Sequence, residues 1–481
     1  MSHDMLKFTQ IDLQTPPKHS AKARVENFDE IYAPYDPDDA EAQASRCSQC
    51  GVPFCQQGCP LSNNIPDWLM LAAKGRLEEA YHASSATNNM PEICGRICPQ
   101  DRLCEGSCVI EQSGHGTVTI GAVEKYITDT AWQEGWIVPI KPPVERAQSI
   151  GIIGAGPAGL AAAEELRRKG YQVTIYDRYD RGGGLLVYGI PGFKLEKHVV
   201  ERRLDHLEAG GIQFNYKTEI GKDVSFSDLR ARHDAVLIAT GVYKPRALSL
   251  PEAQIQNCVE ALDFLTVSNR IGLGDTLTEA EANLAKIADK DVVVIGGGDT
   301  TMDCVRTAIR LEAASVTCLY RRDQKNMPGS AREVQNAQEE GVQFEWLALP
   351  EEIGLDADQH IQSITVHRMK LGEPDPSGRQ KPEKTGTIFE RPADMVISAL
   401  GFDAEDLPLL WDEPHLRVNR WGAVHVDYAT MMTSLEGVFA AGDIVRGGSL
   451  VVWAIKDGRD AAASVHQYLQ EQAERAPLAA E

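Results

Sequence analysis

Eight of the eleven cysteines are clustered in one short part of the sequence. They are Cys47, Cys50, Cys55, Cys59, Cys94, Cys98, Cys104 and Cys108. Thiolates at short spacings on loops bind iron–sulfur clusters, and Pro60 and Pro99 each follow a cysteine, as in ferredoxin-like sequences. Four thiolates can also bind a structural zinc ion, but zinc ribbons favour paired Cys-x2-Cys units, and this segment contains a single one. The spacing therefore predicts iron–sulfur clusters, with zinc as the alternative.

A glycine-rich turn follows a short apolar stretch that predicts a β-strand. The turn reads Gly154-Ala-Gly156-Pro-Ala-Gly159 and precedes an alanine-rich helical pattern. In a dinucleotide site the first glycine permits a tight turn, the second lets backbone approach a pyrophosphate, and the third lets helix and strand pack closely. Asp177 ends the next predicted strand, where a carboxylate binds ribose hydroxyls. The pattern predicts a dinucleotide site, and an ordinary tight strand–helix junction is the alternative.

Two later segments each predict a buried strand that ends in a turn. The turn residues are Thr240 and Gly241 in the first segment and Gly442 and Asp443 in the second. The carboxylate of Asp443 is expected to meet a ribityl hydroxyl. This ordered set resembles the flavoprotein reductases with two dinucleotide-binding domains, and the resemblance implies FAD at the first turn.

A second glycine-rich turn reads Gly296-Gly-Gly298-Asp299-Thr300-Thr301. Thr301 stands where the fingerprint prefers Gly or Ala, so we expect the following helix to sit less tightly. Arg321 and Arg322 end the next predicted strand, at the position where an NAD site has Asp or Glu. Guanidinium groups bind a 2′-phosphate bidentately, whereas a carboxylate repels it. The second site is therefore predicted to bind NADPH, and a solvated arginine pair is the alternative.

The recurring strand, turn and helix patterns predict an α/β fold. They indicate two Rossmann-like dinucleotide-binding domains, with a mainly α-helical iron–sulfur domain before both. The resemblance to the flavoprotein reductases implies that the first domain binds FAD and that the second, for NADPH, is inserted in it. The predicted boundaries are 1–145 for the cluster domain, 146–270 for the first part of the FAD domain, 271–392 for the NADPH domain and 393–481 for the second part of the FAD domain. Residues 370–385 predict an exposed hairpin.

The charge balance disfavours two kinds of partner. The 48 Lys and Arg residues against 70 Asp and Glu residues give a net charge of −22, which repels nucleic acid and anionic membrane surfaces. The first residues show no basic segment followed by an apolar run, and no apolar stretch is long enough to span a bilayer. We therefore expect a soluble, cytoplasmic protein that binds neither nucleic acid nor membranes.

Four segments carry a family resemblance that spans nearly the whole chain. They are residues Cys47–Cys59, Gly95–Cys108, Gly183–Pro191 and Gly296–Thr301. They resemble the family of small (beta) subunits of NADPH-dependent glutamate synthase. The sequence is similar also to the N-terminal part of dihydropyrimidine dehydrogenase and to ferredoxin:NADP oxidoreductase subunits. In the third segment, the resemblance implies that Gly184 and Leu185 contact the cofactor.

The resemblance also implies how the cysteines are shared between two 4Fe-4S clusters. The first cluster would be held by Cys47, Cys50, Cys55 and Cys108, and the second by Cys59, Cys98 and Cys104. The fourth ligand of the second cluster stays open. Cys94 is the obvious choice from its chemistry, whereas the resemblance to the dehydrogenase implies Glu124, a side chain other than cysteine.

The resemblance implies an NADPH-dependent oxidoreductase that feeds electrons into a glutamate synthase. A hydride carries two electrons, a cluster accepts one, and a flavin accepts a hydride and releases single electrons. Electrons are expected to pass from NADPH through FAD and both clusters to a large (alpha) subunit, which makes glutamate from glutamine and 2-oxoglutarate in a hetero-oligomer. No catalytic side chain is predicted, since hydride transfer needs none. The alternatives are an oxidoreductase, separate or differently partnered, that acts on ferredoxin or a pyrimidine, and a non-enzymatic iron–sulfur sensor.

Overall fold

The first part of the chain is helical in the computed structural model, which describes residues 4–250, 255, 257–376 and 378–475. Its α-helices are α1 (Ala21–Arg24), α2 (Pro37–Ser45), α3 (Phe54–Gly58), α4 (Ile65–Ala72), α5 (Leu77–Ser85), α6 (Pro91–Ile97), α7 (Val109–Gln112) and α8 (Ile120–Gln133). Short 3₁₀-helices span Asp4–Thr9 and Gln100–Arg102. The cysteines lie on the loops and short helices between the longer elements.

Helix α8 is the central element of this helical region. Its residues Ile120, Val123, Ile127 and Ala131 recur at helical spacing along one face, and all four are buried. The helix packs against α4, α5 and α6. Gly95 lets α6 pack closely against α8, because a Cβ there would lie 2.7 Å from the backbone nitrogen of Lys125 on α8.

A parallel five-stranded sheet follows. Its strands are β1 (Ser149–Ile153), β2 (Gln172–Tyr176), β3 (Gln213–Asn215), β4 (Ala235–Ile238) and, from the far end of the chain, β15 (Val438–Ala440). Their order is β15-β4-β1-β2-β3. Its helices are α9 (Pro157–Arg168), α10 (Leu185–Tyr188), α11 (Lys197–Ala209), α12 (Phe226–Arg232), α17 (Leu407–Leu410), α18 (Asp443–Arg446) and α19 (Val451–Arg475). The continuous apolar runs of β1 and β4 suit a sheet covered on both faces.

The strands of the first sheet and their helices form the first nucleotide-type unit. In the sequence, a second parallel five-stranded sheet lies between the two halves of that unit. Its strands are β6 (Cys258–Glu260), β7 (Asp291–Gly296), β8 (Ser315–Tyr320), β9 (Gln343–Trp346) and β13 (Met395–Ala399), in the order β6-β13-β7-β8-β9. Its helices are α13 (Ala261–Gly272), α14 (Glu279–Leu284), α15 (Asp299–Arg310) and α16 (Ala331–Glu339), with a 3₁₀-helix at Gln324–Asn326. The helical region followed by two Rossmann-like units confirms the predicted fold class.

Strand pairing corrects two of the predicted domain boundaries. Both β6 and β13 pair in parallel within the second sheet, although residues 258–260 and 395–399 lie outside the predicted range 271–392. The second unit therefore begins before β6 and ends after β13. The prediction missed β6 because a three-residue strand carries too little alternation or apolar length to be recognised without its partner.

Two smaller sheets complete the fold. Strands β10 (Ala348–Leu355), β11 (Ile361–Pro374) and β12 (Gln380–Pro392) form an antiparallel sheet, and β11 and β12 confirm the exposed hairpin predicted at residues 370–385. Strands β5 (Lys244–Pro245) and β14 (Phe402–Asp403) pair where the chain passes between the two nucleotide-type units. Within the described parts of the chain, none of the helices has the length and apolar character to cross a membrane.

A buried ion cluster connects the helical region with the second unit. The carboxylate of Glu340 is fully buried and accepts hydrogen bonds from Arg306 Nε at 2.9 Å and Arg310 Nη1 at 2.7 Å. Arg24 of α1 lies 3.6 Å from the same carboxylate. Burial alone would raise the pKa of Glu340, but the hydrogen bonds from Arg306 and Arg310 outweigh it and hold the pKa below its usual value. Loss of one partner in such a cluster leaves an uncompensated buried charge, which costs about 3–5 kcal/mol.

The first nucleotide-type unit joins the same cluster through two neighbouring side chains. Lys194 Nζ lies 2.8 Å from Asp303 Oδ1 on α15. The ring of Phe193 lies under the guanidinium carbons of Arg306 and Arg310, at 4.4 and 4.0 Å from its centroid. Cations over an aromatic face are attracted to it when both are desolvated. All three regions of the chain thus meet at one set of buried charges.

Candidate functional site

A cavity of about 930 Å³, here called the main cavity, opens between the two sheets and the helical region. Nine of the predicted cofactor contacts line it, namely Gly154, Gly156, Asp177, Leu185, Thr240, Gly241, Asp299, Thr300 and Asp443. The others, Gly159, Gly184, Gly296, Gly298, Arg321, Arg322 and Gly442, are not part of its lining. This volume lies at the upper end of the range for ligand pockets and suits a large cofactor.

The first glycine-rich turn has the geometry that its sequence predicts. Gly154 has φ +108°, and a Cβ there would lie 2.4 Å from the carbonyl oxygen of Ala239. A Cβ on Gly159 would lie 2.0 Å from the carbonyl oxygen of Gly154, so no other residue fits there. A Cβ on Gly156 would meet nothing within 4 Å. That open space faces the main cavity, where a pyrophosphate can approach the start of α9.

Two further segments enclose this turn. The N–H of Gly183 donates to the carbonyl oxygen of Ala155 at 2.8 Å, and a Cβ on Gly184 would lie 3.1 Å from the Cα of Gly156. On the other side, the hydroxyl of Thr240 is buried and has no hydrogen-bond partner among the described residues. Since buried polar groups are nearly always paired, this hydroxyl fits a bound ligand in the main cavity.

The two predicted acidic contacts are held by hydrogen bonds within the chain. Asp177 Oδ2 accepts from the N–H of Ala155 at 2.7 Å, and its Oδ1 accepts from the N–H of Tyr179 at 2.8 Å. Asp443 Oδ1 accepts from Ser449 Oγ at 2.7 Å. Burial raises the pKa of both carboxyl groups. A carboxylate oxygen can accept a second hydrogen bond, so both groups retain capacity for cofactor hydroxyls.

The second turn has space for Thr301, which stands where the fingerprint prefers Gly or Ala. Thr301 is fully buried, and a Cβ on Gly296 would lie 2.4 Å from its hydroxyl oxygen. The missing side chain at Gly296 thus provides the space that the side chain of Thr301 occupies. A Cβ on Gly298, as on Gly156, would meet nothing within 4 Å. The two turns therefore offer equivalent open positions at the beginnings of α15 and α9.

The arginine pair follows β8 directly, beside the turn that follows β7. Arg321 is exposed and makes no hydrogen bond or ion pair within the described parts of the chain. Arg322 is partly buried and donates through Nη2 to Asn326 Oδ1 at 2.9 Å and to the carbonyl oxygen of Gln380 at 3.3 Å. Arg321 is therefore free to bind a phosphate, whereas Arg322 also fixes its own loop to the hairpin.

The structure divides the clustered cysteines into two groups. Cys47, Cys50, Cys55 and Cys108 line one small cavity, here called the first thiol cavity. Cys59, Cys94, Cys98, Cys104 and Glu124 line another, here called the second thiol cavity. The division matches the one that the family resemblance implies, and both candidates for the open ligand position lie in the same cavity.

Both candidates for the fourth ligand are held by Asn88. Its amide nitrogen donates to Glu124 Oε1 at 3.3 Å, and its Oδ1 lies 3.7 Å from the sulfur of Cys94. Glu124 Oε1 also accepts from Ser84 Oγ at 3.1 Å and from Asn63 Nδ2 at 3.4 Å. Three donors thus orient one oxygen of the carboxylate, as partners of a metal ligand commonly do. Burial raises the pKa of Glu124 to about 7.

The spacing of the sulfurs distinguishes zinc from a cluster. Around one zinc ion, Zn–S bonds of about 2.3 Å in a tetrahedron place the sulfurs roughly 3.8 Å apart. Among the described residues, only the exposed group Asp356, Asp358 and His360 brings three possible ligand atoms within 4.8 Å of one another. No three cysteine sulfurs among the described residues thus lie as close together as four ligands of one zinc ion do. Wider spacing suits a cluster, whose irons and sulfides separate the thiolates.

Burial keeps three of the thiols protonated. It raises the pKa of Cys47 to about 11, of Cys55 to about 12 and of Cys59 to about 11. At neutral pH these three side chains are protonated when no metal is bound. A metal bound there would therefore have to displace their protons.

The three cavities share walls. Cys98 lines both the main cavity and the second thiol cavity, and Val451 and Val452 on α19 line these two cavities respectively. Ile120 of α8 lines both thiol cavities. The cavities therefore form a row, with the second thiol cavity in the middle.

Several site residues were missed by the sequence analysis. Asn63, Ser84 and Asn88, which orient Glu124, are uncharged residues without a motif. Lys194 and Asp303 both line the main cavity and form an ion pair, although 109 residues separate them in the sequence. Only the Gly183–Pro191 segment, shortly before Lys194, gave a signal that this part of the chain contacts the cofactor.

Two family models match the chain. One, described as dihydropyrimidine dehydrogenase domain II with a 4Fe-4S cluster, matches residues 24–136. The other, described as pyridine nucleotide-disulphide oxidoreductase, matches residues 148–458. The first covers the cysteines and Glu124 of both thiol cavities, and the second covers both glycine-rich turns.

Relatives match over nearly the full length. The glutamate synthase (NADPH) small chain of Azospirillum brasilense is 60% identical over 476 residues, which cover 99% of this chain and 98% of the relative. The glutamate synthase (NADPH) small chain of Halomonas elongata is 45% identical over 469 residues, covering 96% and 98%. Among solved structures, FprA of Mycobacterium tuberculosis in complex with NADPH has a TM-score of 0.59 at 19% identity, covering 69% of this chain and 86% of that one. This last likeness concerns the fold alone.

The open positions at the two turns yield a matched pair of variants. Gly156 and Gly298 have φ of −80° and −92°, which any residue adopts, so valine should fold at either position. Gly156→Val should fill the phosphate space of the first turn and give protein without flavin. Gly298→Val should keep its flavin, measured by absorbance, and raise the KM for NADPH at least about tenfold through lost phosphate contacts. Full flavin in Gly156→Val, or its loss in Gly298→Val, would contradict the assignment.

Proposed function

This chain belongs to the family of glutamate synthase (NADPH) small chains, and from that premise we propose how its sites work together. It is an NADPH-dependent oxidoreductase with FAD- and NADP-binding domains and a 4Fe-4S domain. We propose that electrons from NADPH leave the main cavity singly, through two 4Fe-4S clusters, to a glutamate synthase large chain. Bound FAD supplies the conversion of a hydride into single electrons.

The observation that carries this proposal is the row of three cavities. Cys98 separates the main cavity from the second thiol cavity, and Ile120 separates the two thiol cavities. Single electrons pass efficiently only between centres that lie close together. A row with shared walls therefore supports a path from the flavin to the second cluster and then to the first.

The residues of the first turn would hold the flavin and those of the second would hold NADPH. Gly156 and the start of α9 leave space for the FAD pyrophosphate, and Asp177 and Asp443 would accept hydrogen bonds from its hydroxyls. Asp299 and Thr300 line the main cavity at the start of α15, where NADPH would enter. The chain's own work here is to orient the two cofactors and exclude water, since hydride transfer needs no acid or base.

The two clusters would be bound by separate ligand sets. The first set is Cys47, Cys50, Cys55 and Cys108, and the second is Cys59, Cys98, Cys104 and Glu124. Cys94 is the alternative to Glu124. The three hydrogen bonds that orient Glu124 support the carboxylate, because Cys94 instead has a hydrogen-bond acceptor for its thiol proton in Asn88.

The proposed assembly is a hetero-oligomer with the large chain. The relatives are named small chains, which implies a larger partner. The partner would make glutamate from glutamine and 2-oxoglutarate. We also propose that the complex is cytoplasmic, because cysteines that bind clusters persist in a reducing compartment.

The function is tested with the chain and its large chain purified together without oxygen. The pair should form glutamate with NADPH, whereas the small chain alone should reduce only a dye. Cys104→Ala should lower glutamate formation at least about tenfold because a cluster ligand is lost. Cys258→Ala, a half-buried cysteine outside both thiol cavities, is the control and should retain activity. Efficient reduction of ferredoxin or a pyrimidine by the chain without any large chain would contradict the proposal.

Arg321→Ala tests the choice of nicotinamide cofactor. Removal of the exposed guanidinium should raise the KM for NADPH about tenfold or more, the value of one charge-assisted hydrogen bond, and leave that for NADH nearly unchanged. Arg321→Ala combined with Arg322→Ala should add to the loss. Lys222→Ala removes an equal charge from an exposed position in the first nucleotide-type unit and serves as the control. Equal losses for NADPH and NADH would show that the pair does not bind the 2′-phosphate.

Iron content tests the ligand sets. The wild-type chain, purified without oxygen, should contain about eight irons, as two four-iron centres require. Glu124→Ala should lose the second cluster and fall to about four irons per chain, whereas Cys94→Ser should stay near the wild-type value. Retention of iron in Glu124→Ala together with loss in Cys94→Ser would make Cys94 the ligand, and zinc in place of iron would exclude both sets.

A further inference from the structure

One stretch of the chain has no charged residue at all. Residues 47–66 contain neither Lys, Arg, His, Asp nor Glu, although 25% of the whole chain is Asp, Glu, Lys or Arg and the net charge is −22. A solvent-facing loop in such an acidic protein ordinarily carries charge. Depletion of charged residues is instead typical of the centre of a protein–protein interface.

Part of this stretch is apolar and exposed. Val52 and Phe54 are 55% and 47% exposed, and Val109, beside Cys108, is 37% exposed. Phe54 and Val109 are also walls of the first thiol cavity. We call Val52, Phe54, Val109 and the loop of residues 47–53 the exit surface. Exposed apolar side chains gathered at one place, rather than scattered singly, mark interaction sites.

The exit surface lies at the end of the row of cavities. The first thiol cavity shares Ile120 with the second thiol cavity, but it shares no lining residue with the main cavity. It is therefore the last step before solvent, and its outer wall is the exposed apolar set. A cluster held there would have the exposed side chains of Phe54 and Val109 between it and solvent.

We propose that the exit surface is the place where the glutamate synthase large chain docks, with an uncharged apolar face that brings its own one-electron centre close to the first cluster. This rests on the proposed function. Each NADPH yields NADP⁺, one proton and two electrons, and the electrons cross the exit surface one at a time to reduce the centre of the large chain twice. No proton needs to cross with them.

The absence of charge on the exit surface favours the large chain, rather than a mobile redox carrier, as the partner that docks there. Transient redox carriers are commonly recruited by complementary charge, which speeds encounter and makes it sensitive to salt. The exit surface has no charge to provide that steering, and the net charge of −22 repels an acidic carrier. Burial of apolar surface instead gives a lasting, salt-tolerant association.

Val52 is the position for the test, because it is exposed and is not part of the wall of the first thiol cavity. Val52→Glu and Val52→Arg should each weaken association of the intact, cluster-loaded chain with the large chain by about 30-fold or more, since an apolar contact is replaced by a buried charge. Glutamate formation at limiting large chain should fall with it. Iron content and the spectra of both clusters should remain as in the wild type.

Leu409→Glu provides the matched control. Leu409 is 77% exposed on α17, in the first nucleotide-type unit, and the same charge there should leave association unchanged. Hydrogen exchange on the wild-type complex gives a second measurement, independent of any variant. Residues 47–58 should be protected by the large chain and residues 405–413 should not.

Four results would overturn the inference. Association like the wild type in both Val52 variants, or no protection of residues 47–58, would show that the large chain docks elsewhere. If Val52→Glu and Val52→Arg had opposite effects on association, with strong dependence on salt, the partner would be a charged carrier. If the wild-type chain fails to associate with a large chain at all, the proposed function fails first, and the docking surface fails with it.

Discussion

Single electrons move efficiently only between centres in close proximity, and the proposed electron path therefore requires close packing of the regions that line the three cavities. The second thiol cavity can share Cys98 with the main cavity only if the helical region lies directly against the first sheet. A glycine allows one such approach. A Cβ on Gly192 of the first nucleotide-type unit would lie 2.7 Å from the carbonyl oxygen of Phe28 in the helical region. The missing side chain lets these two parts of the chain pack directly against each other.

The buried ion cluster contributes orientation more than stability. The cost of desolvating Arg306, Arg310 and Glu340 offsets most of their mutual attraction. Apolar side chains of equal volume in their place would therefore give a similar free energy of unfolding. Charges, however, pair in few geometries. Because Arg24 and Lys194 reach into the same cluster from the other two regions, the position of the second sheet relative to the main cavity is specified by these contacts.

The sequence alone predicted what depends on local chemistry. The two glycine-rich turns, the cysteine spacing and the exposed hairpin each have a physical signature within a few residues of one another. Contacts between distant segments have none. Strand β6 is recognisable only from its partner β13, the Lys194–Asp303 pair joins separate units, and the amide of Asn88 orients Glu124 from 36 residues away. The outer limits of the second unit were therefore misplaced, although its fold class was right.

The insertion of the second sheet into the first has a consequence for biosynthesis. The proposed cluster ligands all lie between Cys47 and Glu124, a stretch that leaves the ribosome early. The proposed flavin site, in contrast, needs Asp443 and the strand before it, and these emerge only after the whole second nucleotide-type unit has been translated. Metal loading of the first thiol cavity can thus begin on the nascent chain, whereas the second thiol cavity needs Val452 and flavin incorporation needs Asp443.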